Sequence, residues 1–269
     1  MKAVRNPTRA SVAAALKSMS RPHGSFDAAR YFRGDHGLRF YNVGTPVMRA
    51  LARDIYMAKR AAWDVDDAMR FADSLMRDPY LETKSIAIEV VARYRRSFEP
   101  RLLARWKRWL AGNLSANWAT TDAICGVLIG PLLADHPRLI PVLPAWAVHR
   151  NMWVRRASAV ALIPSFRRGL APDVAYDLAK TLQPDREDLI HKAVGWMLRE
   201  AGKQDPARLE HYLRAEGPAI PRTTVRYAIE RFPPSKRRRL LAATKGRPSR
   251  LSALQRAKQS WRNRLGHDG

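Results

Sequence analysis

The chain has 269 residues, enough to bury a sizeable core as one large domain or two ordinary ones. Its 49 Lys and Arg against 24 Asp and Glu give a formal net charge of +25, far beyond what solubility requires, so a polyanionic partner is expected. A single cysteine excludes an internal disulfide or thiolate zinc centre, and no apolar run approaches the roughly 20 residues of a membrane span.

Nucleic acid is the first reading of that charge, with a ribosome-associated protein or an anionic membrane surface as the others. Residues 1–25 are basic and polar and are expected to form a mobile arm or a capping helix. From Phe26 onward apolar residues recur at helical spacing, as in Leu102, Leu103, Trp106 and Leu110, and strand-like alternation is hard to find. Breakers such as Pro79, Gly112-Asn113, Pro137, Asn151, Pro172, Pro184 and Pro206 cut this stretch into helices of roughly 10 to 16 residues. The fold class is all-α.

Stepping by 36 residues from Ala87 lands on Ala123, Ala159 and Gly195, small residues where helices can approach closely. The next positions, Ile88, Ile124, Val160 and Trp196, are apolar; three before the small residue come Lys84, Thr120, Arg156 and Lys192. Such a period predicts stacked helical hairpins, closer to HEAT than to tetratricopeptide repeats, over residues 26–232. An α-solenoid of this kind offers a concave surface, basic here, that suits a duplex.

Three segments carry candidate chemistry. Asn117-Trp118-Ala119-Thr120-Thr121-Asp122 starts a helix with Asn117 as N-cap and puts an aromatic and a carboxylate on one face. Asp122 then either serves the helix dipole, with Trp118 in the core, or is a functional acid, since its counterparts on the 36-residue step are Ile86, Ser158 and Val194. In so cationic a chain it is expected to stay ionised and able to stabilise a developing cation. Asn151-Met152-Trp153-Val154-Arg155-Arg156 opens a later helix with paired guanidinium groups, which fit phosphate binding or a solvated face. Trp196 follows Lys192 by one helical turn and fits core packing as well as a site. On the strict step, Trp118 and Asp122 lie two residues either side of Thr120, nearly opposite the face shared by Arg156 and Trp196. A two-residue shift in one repeat would bring the four together.

Residues 233–269 are read as a basic tail: from Arg231 onward there are twelve Lys or Arg and one acid, Asp268. The run Pro233-Pro234-Ser235-Lys236-Arg237-Arg238-Arg239 is expected to be solvated or disordered, or to contact phosphate. Leu251, Leu254, Trp261 and Leu265 recur at helical spacing and predict a terminal helix.

In the same segments the chain resembles the AlkD-type alkylpurine DNA glycosylases, from about Tyr31 to Phe232. The resemblance rests on Tyr41-Asn42-Val43-Gly44-Thr45-Pro46, Asn117-Trp118 through Asp122, Asn151-Met152-Trp153 through Arg156, and the stretch from His191 to Glu200. It implies a solenoid of HEAT-like repeats that removes N3- and N7-alkylated purines from double-stranded DNA without a metal or cofactor, and that can work without drawing the damaged base into a pocket. By it Asp122 is the catalytic carboxylate, Trp118 and Trp196 are the aromatics against the damaged nucleotide, and Arg156 contacts its backbone. Thr45, Arg49 and Arg53 would bind phosphate, and Arg155, Lys192 and Arg199 join the DNA-binding set.

The resulting expectation is a monofunctional glycosylase that leaves an abasic site, working as a monomer in the cytoplasm or nucleoid, with no membrane and no obligate protein partner. The rival of a different class is a non-catalytic nucleic-acid-binding or scaffold protein; a third is an RNA-associated adaptor that uses the tail.

Overall fold

The computed structural model of the chain describes residues 6–22, 32 and 37–245. In chain order the helices are α1 (Arg9–Ser18), α2 (Thr45–Lys59), α3 (Val65–Met76), α4 (Leu81–Ala92), α5 (Leu102–Ala111) and α6 (Trp118–Ile124). A π-helical turn, Cys125–Ile129, joins α6 directly to α7 (Gly130–Asp135), and α8 (Leu143–Ala147), α9 (Met152–Val160) and α10 (Ile163–Phe166) follow. The last are α11 (Pro172–Leu182), α12 (Asp188–Ala201), α13 (Pro206–Glu216), α14 (Arg222–Ala228) and α15 (Pro234–Ala243). Among the described residues the β-type pairing is confined to one isolated bridge, Arg39 to Tyr80.

The helices form two rows. In the front row α2, α4, α6, α9, α12 and α14 each touch the next. In the back row α3 packs on α4, α8 on α9 and α11 on α12, while α5 reaches α9 and α13 reaches α12. This is the all-α solenoid of stacked hairpins predicted from the 36-residue step, with one continuous apolar core between the rows. The stripe on α5 is buried as expected, with Leu102, Trp106 and Leu110 fully enclosed and Leu103 nearly so. Burying each such side chain contributes about 1.5–3 kcal/mol, and Trp106 also donates its indole N–H to the Met69 sulfur of α3 at 3.4 Å.

Local sequence sets where these helices begin. Asp64 and Asp67 form a reciprocal capping box on α3, and the Asn117 and Asn151 side chains accept from the Thr120 and Trp153 amides, each at 2.8 Å. The segment leading into α2 is pinned to the start of α4. Buried Glu82 accepts from the amides of Tyr41 at 3.0 Å and Val43 at 3.2 Å, and the Tyr41 and Tyr80 rings stack at 3.9 Å.

At the ends, α1 is closed by a Thr8/Ser11 capping box and sinks Val12 and Leu16 against α3 and α4. The basic run after Pro233 is solvated, with Arg237, Arg238 and Arg239 exposed, and departs only from the disordered reading, because it forms α15 against α13. Pro234 opens that helix, Leu240 is buried, Lys236 pairs with Glu210 at 2.6 Å, and its ammonium lies 4.4 Å from the Phe232 ring. Leu251, Leu254, Trp261 and Leu265 lie outside the described residues, as do Phe26 and Tyr31.

Candidate active site

The front-row helices begin after Tyr80, Asn117, Asn151, Glu187 and Pro221, so the repeat is not a uniform 36. Asn117 and Asn151 are 34 residues apart. That two-residue shift puts Asp122, Arg156 and Lys192 each at the fifth position of its helix, on one shared face. It also changes which residue fills the close-packed position of α6. Ala123 is only half-buried, whereas Cys125 is fully buried at the eighth position, where α9 has Ala159 and α12 has Gly195. Lys84, one residue short of the shared position, turns inward and donates to the Met76 carbonyl at 2.5 Å.

The shared face opens on a cavity of 410 Å³ lined by Trp118, Asp122, Arg156, Leu189, Lys192, Trp196, Arg199 and Tyr227. Trp118, which its spacing also allows in the core, is 37 % exposed, and the Phe32 ring stacks on it at 5.2 Å. Trp196 is half-buried, with part of its surface on the core and part on the cavity. Trp118, Asp122, Arg156 and Trp196 therefore converge.

Asp122 is gripped from across the row. Arg156 donates Nε to one carboxylate oxygen and Nη2 to the other, both at 2.8 Å, while its Nη1 donates to the Leu189 carbonyl. Both side chains are withdrawn from solvent, at 5 % exposure for Arg156 and 16 % for Asp122. Burial pushes the Asp122 carboxyl above the usual aspartate range, against the hydrogen bonds and charge of Arg156, which pull it down. The cationic composition alone points the other way, because it carries no information on desolvation. A guanidinium fork that cannot lose its proton nonetheless matches the ionised carboxylate, whose two oxygens both accept.

The rim is cationic and tied in place. Lys192 pairs with Asp188 at 2.8 Å, which holds its ammonium above the ordinary lysine range, and Asp188 also accepts from Thr223 of α14 at 2.7 Å. Arg199 pairs with Glu200 at 3.3 Å and with Glu230. Tyr227, 38 % exposed, is missed by the sequence periodicity, since the step from Gly195 overshoots it to Arg231. Its signal is structural. A Cβ at Gly195 would lie 2.5 Å from the Tyr227 Cβ and 2.7 Å from the Thr224 carbonyl oxygen, so only glycine lets α14 seat this close.

The other candidates lie elsewhere. Arg155 is directed away from the cavity, bonding Asp185 at 2.6 Å and the carbonyls of His149 and Arg150 at 3.0 Å each, which ties the start of α9 to the turn before α12. Thr45, Arg49 and Arg53 belong to α2 and are exposed; Arg49 shares Glu89 with Arg93, at 3.1 and 3.2 Å. Among the described residues no three His, Cys, Asp or Glu side chains gather as a metal site would need. What the cavity offers is one fixed anion between aromatic faces, rimmed by cations, an arrangement able to stabilise positive charge beside a polyanion.

Comparison with known proteins bears on the family and the fold. The family described as DNA alkylation repair enzyme matches residues 12–232. A solved structure described as a predicted DNA alkylation repair enzyme from Enterococcus faecalis superposes with a TM-score of 0.65 at 18% identity, covering 85% of this chain and 97% of that one. No curated protein matches the sequence.

Proposed function

The chain belongs to the family of DNA alkylation repair enzymes, and from that premise we propose that it is a glycosylase that hydrolyses the bond between deoxyribose and a cationic N3- or N7-alkylated purine in duplex DNA. The observation that carries this reading is the Asp122 carboxylate, held by both oxygens on Arg156 at a cavity faced by Trp118 and Trp196.

Alkylation at those nitrogens leaves the base positively charged and a good leaving group, so no acid is required to protonate it. As the C1′–N bond breaks, its electron pair stays with the purine, which leaves neutral, and positive charge develops on the sugar. Asp122 stabilises that charge electrostatically and orients the attacking water, while the indole faces of Trp118 and Trp196 add a cation–π contribution. Water adds to C1′, its proton passes to solvent, and an abasic site remains. Lys192 and Arg199 would hold the phosphates that flank the reacting nucleotide.

The test is release of 7-methylguanine and 3-methyladenine from methylated duplex DNA under single-turnover conditions, by the wild type and by Asp122→Asn. Release that collapses in the variant while DNA affinity is kept supports the assignment. Tight binding with no release by the wild type overturns it in favour of a DNA-binding protein without turnover.

A further inference from the structure

A second charged feature lies away from the cavity, on helices outside the front row. Two adjoining cavities, of 410 and 260 Å³, run between α1, α3 and α5 and share Asp73 and Arg77. Their lining carries five arginines, Arg9, Arg70, Arg77, Arg105 and Arg108, against the single aspartate. Asp73 offers no free charge, since one oxygen accepts from Arg105 and the other from the Trp109 indole N–H, both at 2.7 Å. Arg105 is also held by Asp66 and Arg70 by Asp67, so these two are fixed parts of the wall. Arg77 and Arg108 are exposed and make no ion pair among the described residues, and Arg9, 57 % exposed, comes no closer than 3.9 Å to Asp78.

We propose that this groove binds the sugar–phosphate backbone of a second DNA segment, so that one molecule can hold two stretches of DNA at once. Guanidinium groups projecting from rigid helices suit phosphodiester oxygens, and the Ser74 hydroxyl adds a small polar group beside them. From Arg70 to Arg77 the groove follows about two turns of α3, ~10 Å, room for a short run of neighbouring phosphates on one strand. Trp109 is 2 % exposed with its indole edge engaged, so the groove has no aromatic face for stacking a base. Recognition there is of backbone alone, independent of sequence and of damage, and steeply salt-dependent.

The experiment uses the full chain, one immobilised duplex and a second, fluorescent duplex, both undamaged, and reads capture of the second as salt is varied. The double variant Arg77→Gln/Arg108→Gln is expected to lower capture at least tenfold and to reduce its salt slope by about 2, with excision from a single methylated duplex equal to wild type. Asp122→Asn is expected to capture as the wild type does. A wild type that captures no second duplex, capture unchanged in the double variant, or displacement by polyglutamate at lower charge concentration than by DNA overturns the proposal. Capture by a protein that excises nothing upholds the groove and overturns the glycosylase reading, so the two can fail separately.

Discussion

Asp122 and Arg156 stand at the same, fifth position of successive front-row helices and meet through both carboxylate oxygens. Neither partner can be removed quietly, because a buried guanidinium or carboxylate left alone is destabilising by about 3–5 kcal/mol. Asp122→Ala is therefore expected to lower thermal stability by that amount. Asp122→Asn, which still accepts a hydrogen bond, is expected to lose less stability while single-turnover excision falls at least ~10²-fold. Equal excision by Asp122→Asn and the wild type would remove the carboxylate from the mechanism.

Arg156 is committed to Asp122 and the Leu189 carbonyl, whereas Lys192 stands on the rim. Arg156→Lys keeps the charge but loses the fork, so the excision rate is expected to drop with the salt slope of DNA binding unchanged. Lys192→Gln is expected to do the reverse, reducing the slope by about 1 and leaving the rate at saturating DNA near wild type. A shallower salt slope in Arg156→Lys would make that arginine a phosphate contact.

Burial raises the Asp122 carboxyl above the ordinary 3.8, outweighing the opposing pull of Arg156. The acid limb of the pH–rate profile is expected above that value, with the rate rising as the carboxyl loses its proton. A raised carboxyl binds more protons folded than unfolded, so its contribution to stability is present below 3.8 and is lost as pH rises through the folded value. The limb should vanish in the residual activity of Asp122→Asn.

Lys84 behaves in the opposite sense. Desolvation lowers its ammonium from 10.5 to about 8, although nearby Asp78 pulls it up. Between those values the unfolded chain binds the extra proton, so the Lys84 contribution makes stability increase from about pH 8 toward 10.5. In Lys84→Met that increment, on the order of 1–3 kcal/mol, is expected to disappear from urea midpoints measured across the range. Parallel curves for the two proteins would place the titration elsewhere.

Gly195 and Tyr227 form a test of shape. Gly195→Ala puts a methyl group into α14 and is expected to destabilise by about 1–3 kcal/mol and to move Tyr227 at the cavity edge. Tyr227→Ala leaves the helix contact in place, so it is expected to alter excision without a comparable loss of stability. If both variants excise like the wild type, the aromatic edge has no part in the reaction.

The helical hairpins are legible in the sequence because apolar spacing and breakers such as Pro172 and Pro206 are local signals. The meeting of Asp122 with Arg156 is less so, since a fixed 36-residue step misaligns α6 by two residues. Aligning the capping residues Asn117 and Asn151 instead recovers it, because a cap marks where the helical phase starts. The same misalignment puts Ala123 at the close-packed position that Cys125 occupies. The Asp122 shift cannot be read from net charge, as it depends on which side chains enclose the carboxylate. The run from Lys236 to Arg239 is solvated, as its charge suggests, but it is helical through Leu240 and Glu210, partners that composition does not reveal.

Cys125, beneath Asp122 in the following turn, is the chain's one thiol. It is wholly buried, and burial drives its ionisation well above the ordinary range, so the reactive thiolate is neither formed nor reached in the native state. Electrophiles that alkylate purine nitrogens attack free thiolates readily. In the folded chain such agents meet no accessible cysteine thiol, and softer nucleophiles such as the exposed Met57 sulfur are what remains for them to attack.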